Sequence, residues 1–110
     1  MSIIQIEYKN QENFVINERY KYVINYTTSV KFNNISSMRI DICIYETFKN
    51  IYYVEMFSGI INEPNRFLKL FGFSYEDEIE KGRKELITKA CDYANKLYEG
   101  EKIIKGFKSL

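Results

Sequence analysis

Apolar and polar residues alternate through most of the first half of the chain. Ile4, Ile6 and Tyr8 alternate with Gln5, Glu7 and Lys9, the period of two that marks a half-buried strand. Asn10-Gln11-Glu12-Asn13 reads as a polar turn. Phe14 and Ile16 resume the alternation, and Tyr20, Tyr22, Ile24 and Tyr26 continue it. Glu18 interrupts this face, which predicts a bulge or bend near Asn17-Glu18. From Thr27 to Ser37 the pattern loosens. Val30 and Phe32 suit a brief pairing there, while Asn33-Asn34 and Ser36-Ser37 are loop signals. Met38, Ile40, Ile42 and Ile44 then form the clearest apolar face in the chain, with Arg39, Asp41, Cys43 and Tyr45 directed the other way.

A turn over Thr47–Asn50 leads into a strand at 51–58, where Tyr52, Val54 and Met56 alternate with Ile51, Tyr53, Glu55 and Phe57. The parity of the loop decides which set meets the isoleucine face. A two- or four-residue loop puts Glu55 there, burying an unpaired carboxylate at a cost of several kcal/mol. An odd-length loop is therefore expected, with Glu55 beside Asp41 or Cys43 and Asn50 taking the left-handed turn conformation.

The second half is helical in period. Pro64 suits a first helical position. Phe67, Leu68 and Phe71 make one apolar stripe, and Gly72 ends the segment. Ser74 is an N-cap with Asp77 three residues on, and Glu76, Asp77, Glu78 and Glu80 suit the positive end of a helix. Ile79, Leu86, Ala90, Tyr93, Ala94 and Leu97 keep helical spacing up to Gly100, a helix of about 24 residues, or about 36 Å. Gly82 lies on that stripe, where it allows close approach of a bulky aromatic or marks a kink. Lys102–Leu110 carries Ile103, Ile104 and Phe107 and reads as a short last strand or a docked apolar tail. The pattern thus predicts an α+β fold in one domain, residues 1–110: an antiparallel sheet of four to five strands packed by a long C-terminal helix, with a short helix before it. The aromatic surplus on the second sheet face requires cover, from the short helix and tail or from a partner.

Composition narrows the chemistry. The chain has 110 residues, 45% hydrophobic and 28% charged, which is globular and too apolar for disorder. Sixteen basic against 15 acidic residues give +1, so no long-range field draws in a polyanion. Neither a signal peptide nor a membrane span is expected, since the first residues lack a basic region followed by an apolar stretch and every apolar run is short. Cys43 and Cys91 read as buried reduced thiols, which places the chain in the cytoplasm.

There is no histidine, which excludes Ser-His-Asp, Cys-His and His-metal arrangements. No C-x-x-C and neither phosphate-cradling glycine loop occurs. No cofactor is expected. Asp41, Glu46 and Glu55 lie on or beside one hairpin and would suit a divalent cation. The restriction-type nuclease pattern breaks there, because Glu55-Met56-Phe57 has phenylalanine where lysine is needed. Glu7-Tyr8-Lys9 has the triplet but no acidic strand before it. Solvated carboxylates paired with Arg39 are the simpler account, and no metal is assigned. A helix-turn-helix from Pro64 through Gly72 into the long helix fails because its recognition helix would carry four acids within its first turns.

Three functional readings remain. The first is a non-enzymatic protein-binding module using Tyr45, Tyr53 and Phe57 with Asp41 and Glu55 beside them, since tyrosine brings interface area with few rotors. The small size and a composition rich in Tyr, Phe, Ile, Asn and Lys, residues with codons made mostly of A and T, resemble those of small accessory proteins of phages and mobile elements, which often inhibit a host (defence) protein. That is a likeness of composition with no motif behind it. The second is single-stranded nucleic-acid binding by Arg19, Tyr20, Lys21, Tyr22 and Lys31, cations interleaved with stacking rings. The third is a metal-dependent enzyme at the carboxylates. A homodimer and a monomer are equally compatible with the sequence, a bare edge strand favouring the dimer.

Overall fold

The computed structural model describes residues 7–30, 35–48 and 52–108, with side chains for 12–30, 35–48 and 52–101. Four strands, β1 (Glu7–Val15), β2 (Tyr20–Val30), β3 (Ser36–Glu46) and β4 (Glu55–Asn62), are followed by a short helix α1 (Arg66–Leu70) and a long helix α2 (Tyr75–Lys108). The strands form one antiparallel sheet in the order β1-β2-β3-β4, and α2 lies across one face of it. The fold is α+β, as the periodicity predicts.

Register fixes the faces. Tyr22 pairs with Ile44, Ile24 with Ile42 and Tyr26 with Ile40, so the even-numbered residues of β2 and β3 share one side. Tyr20, Ile24, Ile40, Ile42 and Ile44 are at most 1% exposed there, under Leu86, Ala90 and Ala94 of α2. Small residues let the helix approach: a Cβ on Gly82 would sit 2.7 Å from Ile61 Cδ1, and one on Gly59 would sit 3.2 Å from Leu86 Cδ1. The close neighbour of Gly82 is thus an isoleucine, where the sequence suggested an aromatic ring.

The helix crosses the sheet obliquely. Gly82 sits over Ile61 and Leu86 over Gly59, both on β4, whereas Glu101 reaches Tyr20 on β2. That path explains the largest departure from expectation. Glu55 pairs with Ile44 and Phe57 with Ile42, so an even number of residues separates Ile44 from Glu55, and Glu55 and Phe57 share the isoleucine face. The odd-length loop expected from burial cost is not used. Glu55 lies at the corner of β4 that α2 has already left. It is only half-buried, and its Oε1 accepts the Met56 N–H at 2.9 Å, so the penalty that motivated the other register does not arise.

Other boundaries shift for local reasons. Asn10–Asn13 is no turn: β1 runs through it, with a register shift between Lys9 and Glu12, so one extra residue is taken up by a bulge. The bend near Asn17-Glu18 is the β1–β2 hairpin turn, closed by Asn17 Oδ1, which accepts from the Arg19 and Tyr20 N–H groups at 2.9 and 2.8 Å. Ser36 and Ser37 belong to β3, paired with Val30 and Ser29. Tyr52–Val54 precede β4, and Ile51 and Phe32 lie outside the described residues. Pro64 precedes the N-cap Asn65 and is buried. Helix α2 passes through Gly100 to Lys108, about 51 Å at 1.5 Å per residue. The segment read as a last strand or tail is therefore helical backbone up to Lys108. No described helix is long and apolar enough to cross a membrane.

Candidate functional site

Helix α1 is built by capping and not by packing. Asn65 is extended and its Oδ1 accepts the Leu68 N–H at 2.9 Å, the N-cap bond. At the other end Gly72 takes φ +90°, the Phe73 N–H reaches Leu68 O and the Gly72 N–H reaches Lys69 O, both at 3.1 Å. This is a Schellman closure, which needs the left-handed residue that glycine supplies. Ser74 then starts α2 by accepting the Asp77 N–H at 3.0 Å. Glu63 ties the segment to the sheet: its carboxylate accepts from the Ser36 N–H at 3.3 Å and from Lys69 Nζ at 3.2 Å. Both donors, Ser36 first, hold that carboxyl below its ordinary range.

What this scaffold displays is apolar. Phe67, Leu70 and Phe71 are 66%, 84% and 70% exposed, and no residue of α1 is buried. The Phe67 and Phe71 rings touch each other at 4.9 Å between centroids. Leu68 and Phe73 turn towards Ile35 and Pro64 and line a cleft of about 490 Å³, with Glu63 and Glu78 also on its wall. The sequence stripe of Phe67, Leu68 and Phe71 suggested a helix that covers the second sheet face. The structure leaves that face without α1. Phe67, Leu68 and Leu70 of this five-residue helix, with Phe71 at its C-cap and Phe73 beyond Gly72, make five apolar side chains in seven residues, too many for so short a segment to bury all of them against the domain. That crowding was the available sequence signal.

The sheet face opposite α2 carries Lys21, Val23, Asn25 and Thr27 of β2, Arg39, Asp41, Cys43 and Tyr45 of β3, and Met56, Ser58 and Ile60 of β4. Asp41 Oδ1 accepts from Arg39 Nε at 2.9 Å and from the Ser58 hydroxyl, so its charge is compensated within the face. Burial pushes the Cys43 and Tyr45 groups up, with Asp41 adding to the first and Cys43 and Tyr53 to the second. Burial does the same to Cys91, helped by Asp92. Both thiols are free, and raised thiols are neutral and weakly nucleophilic.

The residues expected to act together are divided. Asp41 and Tyr45 lie on the open face, and Tyr53 lies in the loop at that end, 53% exposed. Phe57 is on the helix face, edge-on to Tyr93 at 5.8 Å, and Glu55 is at the corner of that same face. Asp41 and Glu55 therefore point to opposite sides of the sheet, and the described residues hold no cluster of three metal-ligating side chains. The stacking platform is not presented either. Tyr20 and Tyr22 are 1% and 7% exposed beneath α2, because their even register puts them with the isoleucines. Arg19 is engaged by Glu101 at 3.0 Å and Glu46 at 3.7 Å. Lys21 lies on the open face, and Lys31 is outside the described residues.

Tyr20, Tyr26 and Tyr98 serve the helix–sheet joint. The Tyr20 hydroxyl donates to Glu101 Oε1 at 2.6 Å and the Tyr98 hydroxyl to Glu18 Oε2 at 2.7 Å. Arg83 Nε donates to the Tyr26 hydroxyl at 2.8 Å and its NH2 to Glu12 Oε2 at 3.0 Å. Polar ends at the rim of an apolar joint let long aromatic side chains be buried without orphaned hydroxyls. No protein-family model matches the chain, and neither a curated protein nor a solved structure does.

Proposed function

We propose that this chain is a non-enzymatic protein-binding module whose docking surface is the ridge of α1. The observation that supports this is the exposure of Phe67, Leu70 and Phe71 on a helix capped at both ends and packed on no other element among the described residues. A five-residue helix has too few internal bonds to persist on its own propensity. Here two caps and the Glu63–Lys69 pair hold it while its apolar side chains stay in water. An apolar ridge of this kind marks an interaction surface. Covering three such side chains contributes about 5–9 kcal/mol before ordering costs, enough to anchor a complex. The adjoining cleft at Ile35, Pro64, Leu68 and Phe73 offers a partner side chain a pocket. Blocking a host protein, as small accessory proteins of phages do, needs area of this sort and no chemistry.

The test is affinity capture from cell lysate with the wild type and with Phe67→Ser/Leu70→Ser/Phe71→Ser. All three side chains are outside the core, so the variant is expected to keep its circular dichroism spectrum. A stoichiometric partner held by the wild type and lost by the variant is the expected result. A partner held equally by both moves the interface elsewhere, and no partner at all overturns the reading.

A further inference from the structure

The two edges of the sheet are built differently. β1 carries Glu7, Lys9 and Glu12 and a register shift between Lys9 and Glu12, devices that stop an edge from pairing with another chain. β4, Glu55-Met56-Phe57-Ser58-Gly59-Ile60-Ile61-Asn62, has no lysine, proline or register shift along its pairing with β3. Its Ile60 is 68% exposed. Beyond β4 the backbone groups on the outer side have no strand partner among the described residues.

Above this edge runs a flank of α2 with an ordered charge row. Glu78, Lys81, Glu85 and Lys89 border a groove of about 340 Å³ whose floor includes Gly59, Ile61 and Gly82. None of the four is ion-paired among the described residues, unlike Arg83 and Glu80 on the other flank. The order of signs, minus-plus-minus-plus, inverts when the row is reversed. Against an antiparallel copy of itself, Glu78 meets Lys89 and Lys81 meets Glu85, about a midpoint near residue 83. Gly82 lies over Ile61 and Leu86 over Gly59, so that midpoint sits above Ile60. A two-fold axis there serves strand and helix together.

We infer that the β4 edge and the Glu78–Lys89 flank of α2 form an interface with a second copy of this chain, joining two sheets into one of eight strands. Ile60 meets its own counterpart across the axis, which accounts for a large apolar side chain exposed at an edge. The flanking helices run antiparallel with four interchain ion pairs. An isologous interface needs one patch complementary to itself, and the alternating row supplies that. Apart from Glu78, which also walls the cleft beside α1, these residues are distinct from the α1 docking surface.

Sedimentation equilibrium over a concentration series tests it. The wild type is expected to approach twice the 13.2 kDa of one chain. Lys81→Glu turns two attractive contacts into repulsive ones and is expected to weaken the dimer about tenfold or more. Lys81→Glu/Glu85→Lys again sets opposite signs against each other across the axis and is expected to recover the wild-type constant. Ile60→Lys places two ammonium groups face to face on the axis and is expected to leave only monomer. All three positions are exposed, and the thermal transition of each variant checks the fold. A wild type that stays at 13.2 kDa up to millimolar concentration overturns the inference and leaves the edge to a heterologous strand. So does a dimer indifferent to Ile60→Lys, or one that the charge reversal fails to rescue.

Discussion

Replacing Gly82 by alanine sets two terms of known size against each other. Alanine is better than glycine in a helix interior by about 1 kcal/mol, and an exposed site would show that gain in full. At Gly82 the new methyl would lie 2.7 Å from Ile61 Cδ1 and 3.0 Å from Ile61 Cγ1. Ordinary carbon contacts are about 3.5–4.0 Å, so Ile61 must move by about 1 Å or the helix must lift from β4. Overpacking of this kind costs about 1–3 kcal/mol. The expected net effect is a loss of about 1 kcal/mol, measured as a lower urea midpoint with an unchanged slope. Ile61→Val removes the nearer atom. Alone it costs about 0.5–1.5 kcal/mol, but in its presence Gly82→Ala is expected to become neutral or stabilising. The two changes should therefore couple by about 1–2 kcal/mol in a double-mutant cycle. If Gly82→Ala stabilises the wild-type background by the full helix-propensity gain, α2 does not approach β4 as described and the account of the joint is wrong.

Two further outcomes test the polar rim of the joint. The Tyr20 hydroxyl is pushed up to about 12 from 10.0, first by burial and then by its bond to Glu101; the unfolded chain therefore loses this proton first. The Tyr20 contribution is intact below pH 10 and is lost as pH rises towards 12, a loss of about 3 kcal/mol at most. Tyr20→Phe is expected to flatten the alkaline decline in urea midpoints by that amount, and an equal decline in both proteins refutes the assignment. Arg83→Lys keeps the charge but cannot serve Tyr26, Glu12 and Glu80 from one ammonium. A loss of about 1–2 kcal/mol is expected, discounted for partial exposure, and a variant as stable as wild type would show that the guanidinium fork contributes nothing.

The β2 and β3 faces were legible because a period of two and a clean isoleucine stripe leave one consistent register: Ile24, Ile40, Ile42 and Ile44 could go only inward. Ser74 and Gly72 were equally legible, since capping is local chemistry that needs no distant partner. The division of labour changes where a residue's cost depends on what lies over it. The alternation within its own strand speaks only to the face of Glu55, whereas its environment is set by the oblique course of α2, which uncovers that corner. Tyr20 and Tyr22 look the same in sequence whether they stack bases or seal a core, and only the pairing of Tyr22 with Ile44 puts them beneath the helix. The exposed ridge of α1 was hidden for the same reason: a sequence shows that Phe67 and Phe71 are apolar, but not that none of the described residues covers them. Local chemistry thus set the elements and their apolar faces, while the crossing path of one helix decided which residues remain on the surface for another molecule to meet.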